Sequence, residues 1–133
     1  MIATAEEFVR LRSSDLPEEY GRAARDSAAE EVWMDVVTRY PDYRFWVAQN
    51  KTVPVSILRI LATDADWKVR HMVASKRKCP DDILQKLASD QDDGVRMAVA
   101  ANAKVSRQLL KQLLKDQFNG VREMASKRLS EKE

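Results

Sequence analysis

The segment from Pro80 to Ala100 reads PDDILQKLASDQDDGVRMAVA, and it decides the fold. The same pattern occurs 26 residues upstream, from Pro54 to Ala74, and 26 residues downstream, from Ser106 to Ser126. Each copy has an apolar pair, a leucine three residues later, an aspartate and then a Val-Arg pair at equivalent positions. Three copies aligned without a gap indicate a repeat architecture, in which each unit packs on its neighbours.

Each copy reads as two short helices joined by a polar turn. Ile83, Leu84 and Leu87 form one apolar stripe at helical spacing, and Val95 and Val99 form a second after the turn. Neither helix exceeds about ten residues, which is too short to be stable alone in water. Stacking of successive helix pairs removes that difficulty. The pattern therefore predicts an all-α fold, a short right-handed α-solenoid of about four 26-residue helix pairs.

The N-terminal part of the chain follows the period only in part. Tyr43-Arg44 and Val47-Ala48 match the second helix of a degenerate fourth copy, whose first helix is expected over Ala28–Tyr40. Residues 1–27 match nothing in the repeat. Thr4, with Glu7 three residues later, predicts a capped helix over about 5–12, and Pro17 predicts another over about 17–26. We expect 1–27 to form a helical cap and 28–133 the solenoid, as one compact domain; the alternative is that the cap takes part in binding.

The repeated motif is Leu-Ala-x-Asp, a short turn, Val-Arg-x-x-Val-Ala, and a proline that opens the next copy. With these residues the sequence resembles the leucine-rich repeat variant family, a relative of the HEAT-like helical repeats. The resemblance covers about 28–131, and Ser106 departs from it where proline is expected. It implies that the second helices line a concave, partner-binding face. It also implies an Asp–Arg ladder between copies. One cysteine, Cys79, cannot hold an iron–sulfur cluster, so no cofactor is expected.

The side-chain inventory gives little support to catalysis. The chain has one histidine and one cysteine, His71 and Cys79, and none of the glycine-rich, zinc-binding or nucleophile-elbow motifs. We therefore predict no catalytic residues and no metal site, and a protein that is not an enzyme. The polar, acidic N-terminus is unlike a secretory signal, and no apolar run is long enough to span a bilayer. These features favour a cytoplasmic protein without a membrane contact.

An arginine recurs in every copy, and in the three complete copies it stands six residues after an aspartate. The structural interpretation pairs the two within each copy and lets the pairs bridge neighbouring copies. The ladder then consists of Asp64 with Arg70, Asp90 with Arg96, and Asp116 with Arg122. The functional alternative is a row of cations for the phosphates of a nucleic acid.

Positions that vary against the period are the candidates for function. On the exposed side of the second helices they form two columns. The predicted partner-binding residues are Phe45, Gln49, His71, Ser75, Met97, Ala101, Glu123 and Lys127. Their mixed polarity is typical of protein recognition. We therefore predict a monomeric protein-protein interaction module: an adaptor, inhibitor or immunity-type binder. The alternative is nucleic-acid binding through residues 51–133, which carry seventeen Lys/Arg against eleven Asp/Glu.

Two tryptophans of the degenerate copy have separate expectations. Trp46 aligns with Met72 and Ala98 and is expected in the core. Trp33 aligns with Arg59, so it faces away from the core of its own copy. We expect Trp33 to pack beneath the N-terminal helices; left uncovered, it would be an interface anchor.

Overall fold

The computed structural model describes residues 1–132, and within them the chain forms ten α-helices and one short 3-10 helix. The predicted all-helical class is confirmed. The chain divides into two compact units: an N-terminal unit, Met1–Leu61, and a C-terminal unit that begins at Ala62. This division falls inside the segment expected to repeat, rather than after residue 27.

The N-terminal unit contains five α-helices. They are α1 (Ala5–Arg12), α2 (Pro17–Arg25), α3 (Glu30–Arg39), α4 (Arg44–Gln49), preceded by the 3-10 turn Pro41–Tyr43, and α5 (Val55–Leu61). α1 begins as predicted, because the Thr4 hydroxyl accepts the Glu7 backbone N–H at 3.0 Å. The Glu7 carboxylate in turn accepts the backbone N–H of Ala3 at 2.7 Å. This reciprocal arrangement satisfies two backbone donors at the helix start.

The N-terminal helices share one core with the degenerate copy, which explains why the chain does not divide after residue 27. Trp33 is fully buried, and its ring meets the ring of Phe8 edge-on with centroids 5.2 Å apart. The prediction that Trp33 packs beneath the N-terminal helices is thus confirmed. The backbone N–H of Ile2 also donates to the Ser27 carbonyl at 2.8 Å, which ties the start of the chain to the entry of α3.

The C-terminal unit keeps the period in its helix boundaries. It contains α6 (Trp67–Ser75), α7 (Asp81–Leu87), α8 (Asp93–Ala101), α9 (Arg107–Leu113) and α10 (Asn119–Glu131). The second helices α6, α8 and α10 each begin 26 residues after the previous one. α6 packs against α8, and α8 packs against α10. The small residues Ala74 and Ala100 are fully buried, as close packing of adjacent second helices requires.

The arginine ladder joins successive copies, but its carboxylate partners differ from the predicted ones. Arg70 donates to the carboxylate of Asp90, twenty residues later, at 2.8 and 3.1 Å. Arg96 donates to Asp116 in the same way at 2.8 and 3.2 Å. The pairing of each arginine with the carboxylate six residues earlier is therefore wrong.

The residue six positions before each arginine contributes its backbone carbonyl instead. Arg70, Arg96 and Arg122 donate to the carbonyls of Asp64, Asp90 and Asp116 at 2.8, 2.7 and 2.7 Å. The physical reason is the geometry of the turn after each aspartate. There the carboxylate accepts the backbone N–H of the residue two positions later, as Asp90 accepts from Asp92. Arg70 and Arg96 thus bridge two copies, since each donates to a carbonyl of its own copy and to a carboxylate of the next. Arg122, in the last copy, donates instead to the Asn119 side chain of its own helix at 3.2 Å.

Two buried asparagines form a second set of ties, which the sequence did not reveal. Asn102 donates to the carbonyls of Ala74 and Lys76 at 2.7 and 2.9 Å, and it accepts from the backbone N–H of Lys104. In the N-terminal unit, Asn50 donates to the carbonyls of Ala23 and Asp26 at 2.8 and 3.0 Å. These two asparagines stand two periods apart, with Lys76 between them. The interruption by Lys76 hid the recurrence.

Candidate functional site

An open cavity of about 380 Å³ lies on α6 and α8 of the C-terminal unit. Its lining residues are His71, Ser75, Arg77, Met97, Ala98, Ala101, Asn102 and Ala103. We call this cavity the groove. Four of the eight predicted partner-binding residues lie in it: His71 and Ser75 on α6, and Met97 and Ala101 on α8. The periodic sequence thus brings these four variable positions to one place.

Two exposed aromatic side chains stand at the helix starts next to the groove. Trp67 is 45% exposed, and its ring meets the His71 ring edge-on at 6.1 Å. Phe118 is 42% exposed at the start of α10. Sequence reasoning missed both residues, because they lie in the turns and outside the two columns chosen from helical geometry.

Gly120 connects Phe118 with the groove. A Cβ atom at Gly120 would come within 2.7 Å of the Met97 methyl carbon and 2.8 Å of the Phe118 ring. Both side chains therefore lie directly over the glycine, in a space that any other residue would fill. As Met97 also lines the groove, the apolar surface extends from the groove to Phe118.

The charged residues near the groove leave its interior weakly polar. Arg77 is the one permanently charged residue of the lining, and it is exposed. Glu123 and Lys127 lie exposed on α10 and do not line the groove. Glu123 accepts a hydrogen bond from Asn119 on the same helix at 2.9 Å. The structure thus separates these two predicted residues from the four that it brings together.

The remaining predicted residues, Phe45 and Gln49, belong to the N-terminal unit. Phe45 is half-buried and packs edge-on against Trp46, with ring centroids 4.8 Å apart. Gln49 lines a different cavity, of about 550 Å³, together with Trp46 and Arg12. The expectation that Trp46 lies in the core is wrong. The ring is half-buried, because Arg12 at the end of α1 covers it, with the guanidinium carbon 3.5 Å from the ring centroid.

Cys79 and His71, the two residues with conventional chemical reactivity, lie in different surroundings. The Cys79 thiol is buried and lies 3.9 Å from the Pro80 carbonyl oxygen, a setting that keeps a thiol unreactive. His71 faces the groove beside Trp67. In the part of the chain that the structure describes, no group of three or more His, Cys, Asp or Glu residues is placed to hold a metal ion.

Comparison of the chain with protein families, with curated proteins and with solved structures gave no match. The resemblance to the leucine-rich repeat variant family stays a prediction carried by the repeated motif. Among residues 1–132, none of the helices combines the length and the apolar character needed to cross a membrane.

Proposed function

We propose that the chain is a non-catalytic protein-protein interaction module that holds a protein partner in the groove and against Phe118. In this proposal the helix pairs belong to a short right-handed solenoid of HEAT-like repeats, whose second helices line the concave face. A module of this kind suits an adaptor, an inhibitor or an immunity-type binder that works as a monomer in the cytoplasm.

The observation that carries the proposal is the residue at the start of α10. Asp66 and Asp92 occupy the equivalent positions before α6 and α8, where each carboxylate caps the helix. Phe118 has the same extended backbone but offers no cap, and 42% of its surface is exposed. A capping aspartate there would stabilise the helix by about 1 kcal/mol. An exposed aromatic in its place favours binding over stability, since aromatic side chains are enriched in interface anchors.

The groove supplies the rest of a recognition surface. Apolar contacts come from Met97, Ala98 and Ala101, and hydrogen-bonding groups come from His71 and Ser75. Interfaces combine an apolar centre with a polar rim in this way. The groove is also weakly charged, which suits an apolar anchor of a protein partner better than a phosphate backbone.

The recurring arginines give little support to the nucleic-acid alternative. Arg70 and Arg96 are engaged by the carboxylates of Asp90 and Asp116, with the side chains of both pairs less than a tenth exposed. An arginine held in a buried ion pair cannot neutralise a phosphate without breaking that pair. Nucleic-acid binding would therefore depend on the other lysines and arginines of the C-terminal half.

A substitution that fills the groove tests the proposal. Ala101 is exposed on α8 and lines the groove, so Ala101→Arg introduces bulk without removing a core contact. We expect it to weaken binding of a partner captured by the unmodified chain by about tenfold or more, as loss of an interface anchor does. Gln108→Arg, an equal change of charge at an exposed site on α9, is the matched control.

The outcomes separate the two candidate functions. Loss of binding with Ala101→Arg but not with Gln108→Arg supports a protein partner in the groove. Equal binding by both variants and the unmodified chain would remove the groove as the site. Binding to random duplex DNA or RNA that falls steeply between about 50 and 200 mM salt would favour the nucleic-acid function instead.

A further inference from the structure

The N-terminal unit contains a second concave site, chemically different from the groove. This pocket has a volume of about 550 Å³, within the range of roughly 300–1,000 Å³ that small-molecule sites occupy. Its lining residues are Arg12, Ser14, Asp15, Tyr20, Gly21, Ala24, Trp46 and Gln49, from the ends of α1 and α4, from α2, and from the loop between α1 and α2. We call it the Arg12 pocket. It lies wholly in the N-terminal unit, so it is independent of the proposed protein-binding function.

Arg12 is held in this pocket by an aromatic ring instead of a carboxylate. Its guanidinium carbon lies 3.5 Å from the centroid of the Trp46 ring. Its Nε atom is buried and meets no hydrogen-bond acceptor within residues 1–132. A buried donor without an acceptor costs free energy, and an ordered water or a bound ion is one way in which such a group is completed. Stacking fixes the plane of the guanidinium, which leaves its N–H groups oriented for a planar anion.

Other arginines of the same unit show what the chain does with a guanidinium that it uses structurally. Arg10, two residues earlier on α1, donates to Glu19 at 2.8 Å. Arg22 on α2 donates to Asp26 at 2.7 Å. Arg12 has neither kind of partner, although Asp15 lies in the same pocket. The Arg12 guanidinium is therefore available to an anionic ligand in the pocket.

The charges around the pocket favour a singly charged anion. Arg12 and Asp15 line the pocket, and the guanidinium of Arg25 lies over Gly21, 2.8 Å from where a Cβ of that residue would stand. Two arginines and one aspartate leave one positive charge in excess. A carboxylate matches that balance, whereas the Asp15 carboxylate would repel a doubly charged phosphate. Tyr20, Ala24 and Trp46 provide apolar walls for the body of such a ligand.

We infer that the Arg12 pocket binds an organic carboxylate with an apolar or aromatic body, the carboxylate lying on the Arg12 guanidinium and the body against Tyr20 and Trp46. The carboxylate can belong to a free small molecule or to the C-terminal residue of a peptide. The chemistry is the same for both sources, because each presents one planar anion beside an apolar group.

Titration with phenylacetate, followed by nuclear magnetic resonance of the Arg12 Nε–H and Trp46 indole N–H signals, tests the inference. We expect saturable shifts of both signals with phenylacetate and none with phenylacetamide, its neutral analogue. Phenyl phosphate should bind more weakly than phenylacetate, and Asp15→Asn should reduce that difference.

A short peptide ending in phenylalanine, with a free or an amidated C-terminus, distinguishes the two sources of the carboxylate. Tighter binding of the free-carboxylate peptide than of phenylacetate identifies a chain end, and the reverse identifies a small molecule.

The variant Arg12→Lys keeps the charge but loses the planar fork, and it should lower the affinity for phenylacetate by about tenfold. Arg10→Lys on the same helix is the matched control and should leave the affinity unchanged. Because Trp46 is observed directly, its signal also shows that Arg12→Lys remains folded. Four results would each overturn the inference. They are equal shifts with phenylacetamide and phenylacetate, no saturable shift with phenylacetate or the free-carboxylate peptide, tighter binding of phenyl phosphate than of phenylacetate, and an unchanged affinity for phenylacetate in Arg12→Lys.

Discussion

The two units of this chain use arginine in opposite ways. In the C-terminal unit, Arg70 and Arg96 form buried ion pairs with aspartates of the next copy and stabilise the fold. In the N-terminal unit, the paired arginines Arg10 and Arg39 stay on the surface, and Arg12 stacks on a tryptophan. The buried arginines of the C-terminal unit stand at a position that recurs with the period, whereas Arg10, Arg12 and Arg39 lie outside that position and make other contacts. A regular repeat position is therefore a poor place to look for function.

The largest expected effect comes from breaking the buried ladder. Arg96→Leu leaves the Asp116 carboxylate without its guanidinium in a site where both side chains are 7% exposed. We expect the free energy of unfolding of the C-terminal unit to fall by about 3–5 kcal/mol. Hydrogen exchange of α8 and α10 amides measures this, with α1 and α3 amides as the internal control.

The double variant Arg96→Leu with Asp116→Leu sharpens the same prediction. Removing both charges eliminates the uncompensated carboxylate, so the double variant should be more stable than Arg96→Leu alone. If Arg96→Leu costs less than about 1 kcal/mol, the ladder resembles a surface ion pair and the contrast between the units fails.

Loss of the buried asparagines should have a smaller effect that is similar in both units. Asn102→Ala and Asn50→Ala each leave two carbonyls without their side-chain donor. Each substitution should cost about 1–3 kcal/mol in its own unit, because buried polar groups lose their partner. Denaturant unfolding followed by unit-specific hydrogen exchange reports the two values. A large cost in only one unit would show that the asparagines are not equivalent ties.

Removal of a helix cap should cost about half as much stability as removal of a buried asparagine. Thr4→Ala removes the cap of α1, and Asp92→Ala removes a carboxylate that accepts two backbone N–H groups of α8 at 2.8 and 3.1 Å. Each should reduce stability by about 1 kcal/mol. Thermal unfolding checks both, with Asp93→Ala as a neighbouring control for charge. No change with Asp92→Ala would contradict the assignment of that cap.

The smallest expected effect is a difference in how salt alters acid unfolding. Burial alone would raise the pKa of Asp116, but hydrogen bonds from Arg96 and from the Phe118 backbone outweigh it and hold the pKa below its ordinary value. Its stabilisation is therefore complete above the unfolded pKa near 3.9 and is lost as the pH falls through the lower folded value. In the N-terminal unit, hydrogen bonds from Arg39 lower the pKa of Glu6 and of Asp35, and both carboxylates are exposed.

Salt should therefore act on the two units differently. Acid titration from about pH 5 to about pH 2, at about 0.1 and 1 M salt, should show strong screening in the N-terminal unit and weak screening in the C-terminal unit. Asp116→Asn should flatten the profile of the C-terminal unit alone. Equal salt sensitivity in both units would mean that burial does not distinguish their ion pairs.

Much of the fold could be predicted because the period carries it. Val69, Val95 and Val121 recur at equal spacing and are all buried, so the helix positions followed from the sequence. The cap of α1 followed from Thr4 and Glu7, which are close in sequence. The carboxylate partners of Arg70 and Arg96 did not follow, because six residues along the chain and twenty residues between copies are equally compatible with the period.

The candidate site was predictable only in part. His71, Ser75, Met97 and Ala101 were identified from helical geometry, and they do line one groove. Phe118 was not, because its exposure and its missing cap are visible only once the helix start is fixed. The Arg12–Trp46 stack joins two segments with no shared motif, so only the packing of α1 near α4 could bring it to light.

The most direct test of the account is the paired measurement of stability and partner binding in Phe118→Asp. The new carboxylate should cap α10, as Asp92 caps α8, and offset the loss of the Phe118 ring that packs over Gly120. We predict a change in the free energy of unfolding below about 1 kcal/mol, with partner binding reduced by about tenfold or more. Leu114→Gln, which removes another exposed apolar side chain from the C-terminal unit, should leave binding intact. Undiminished binding by Phe118→Asp, at unchanged or increased stability, would contradict the assignment of this surface to a protein partner.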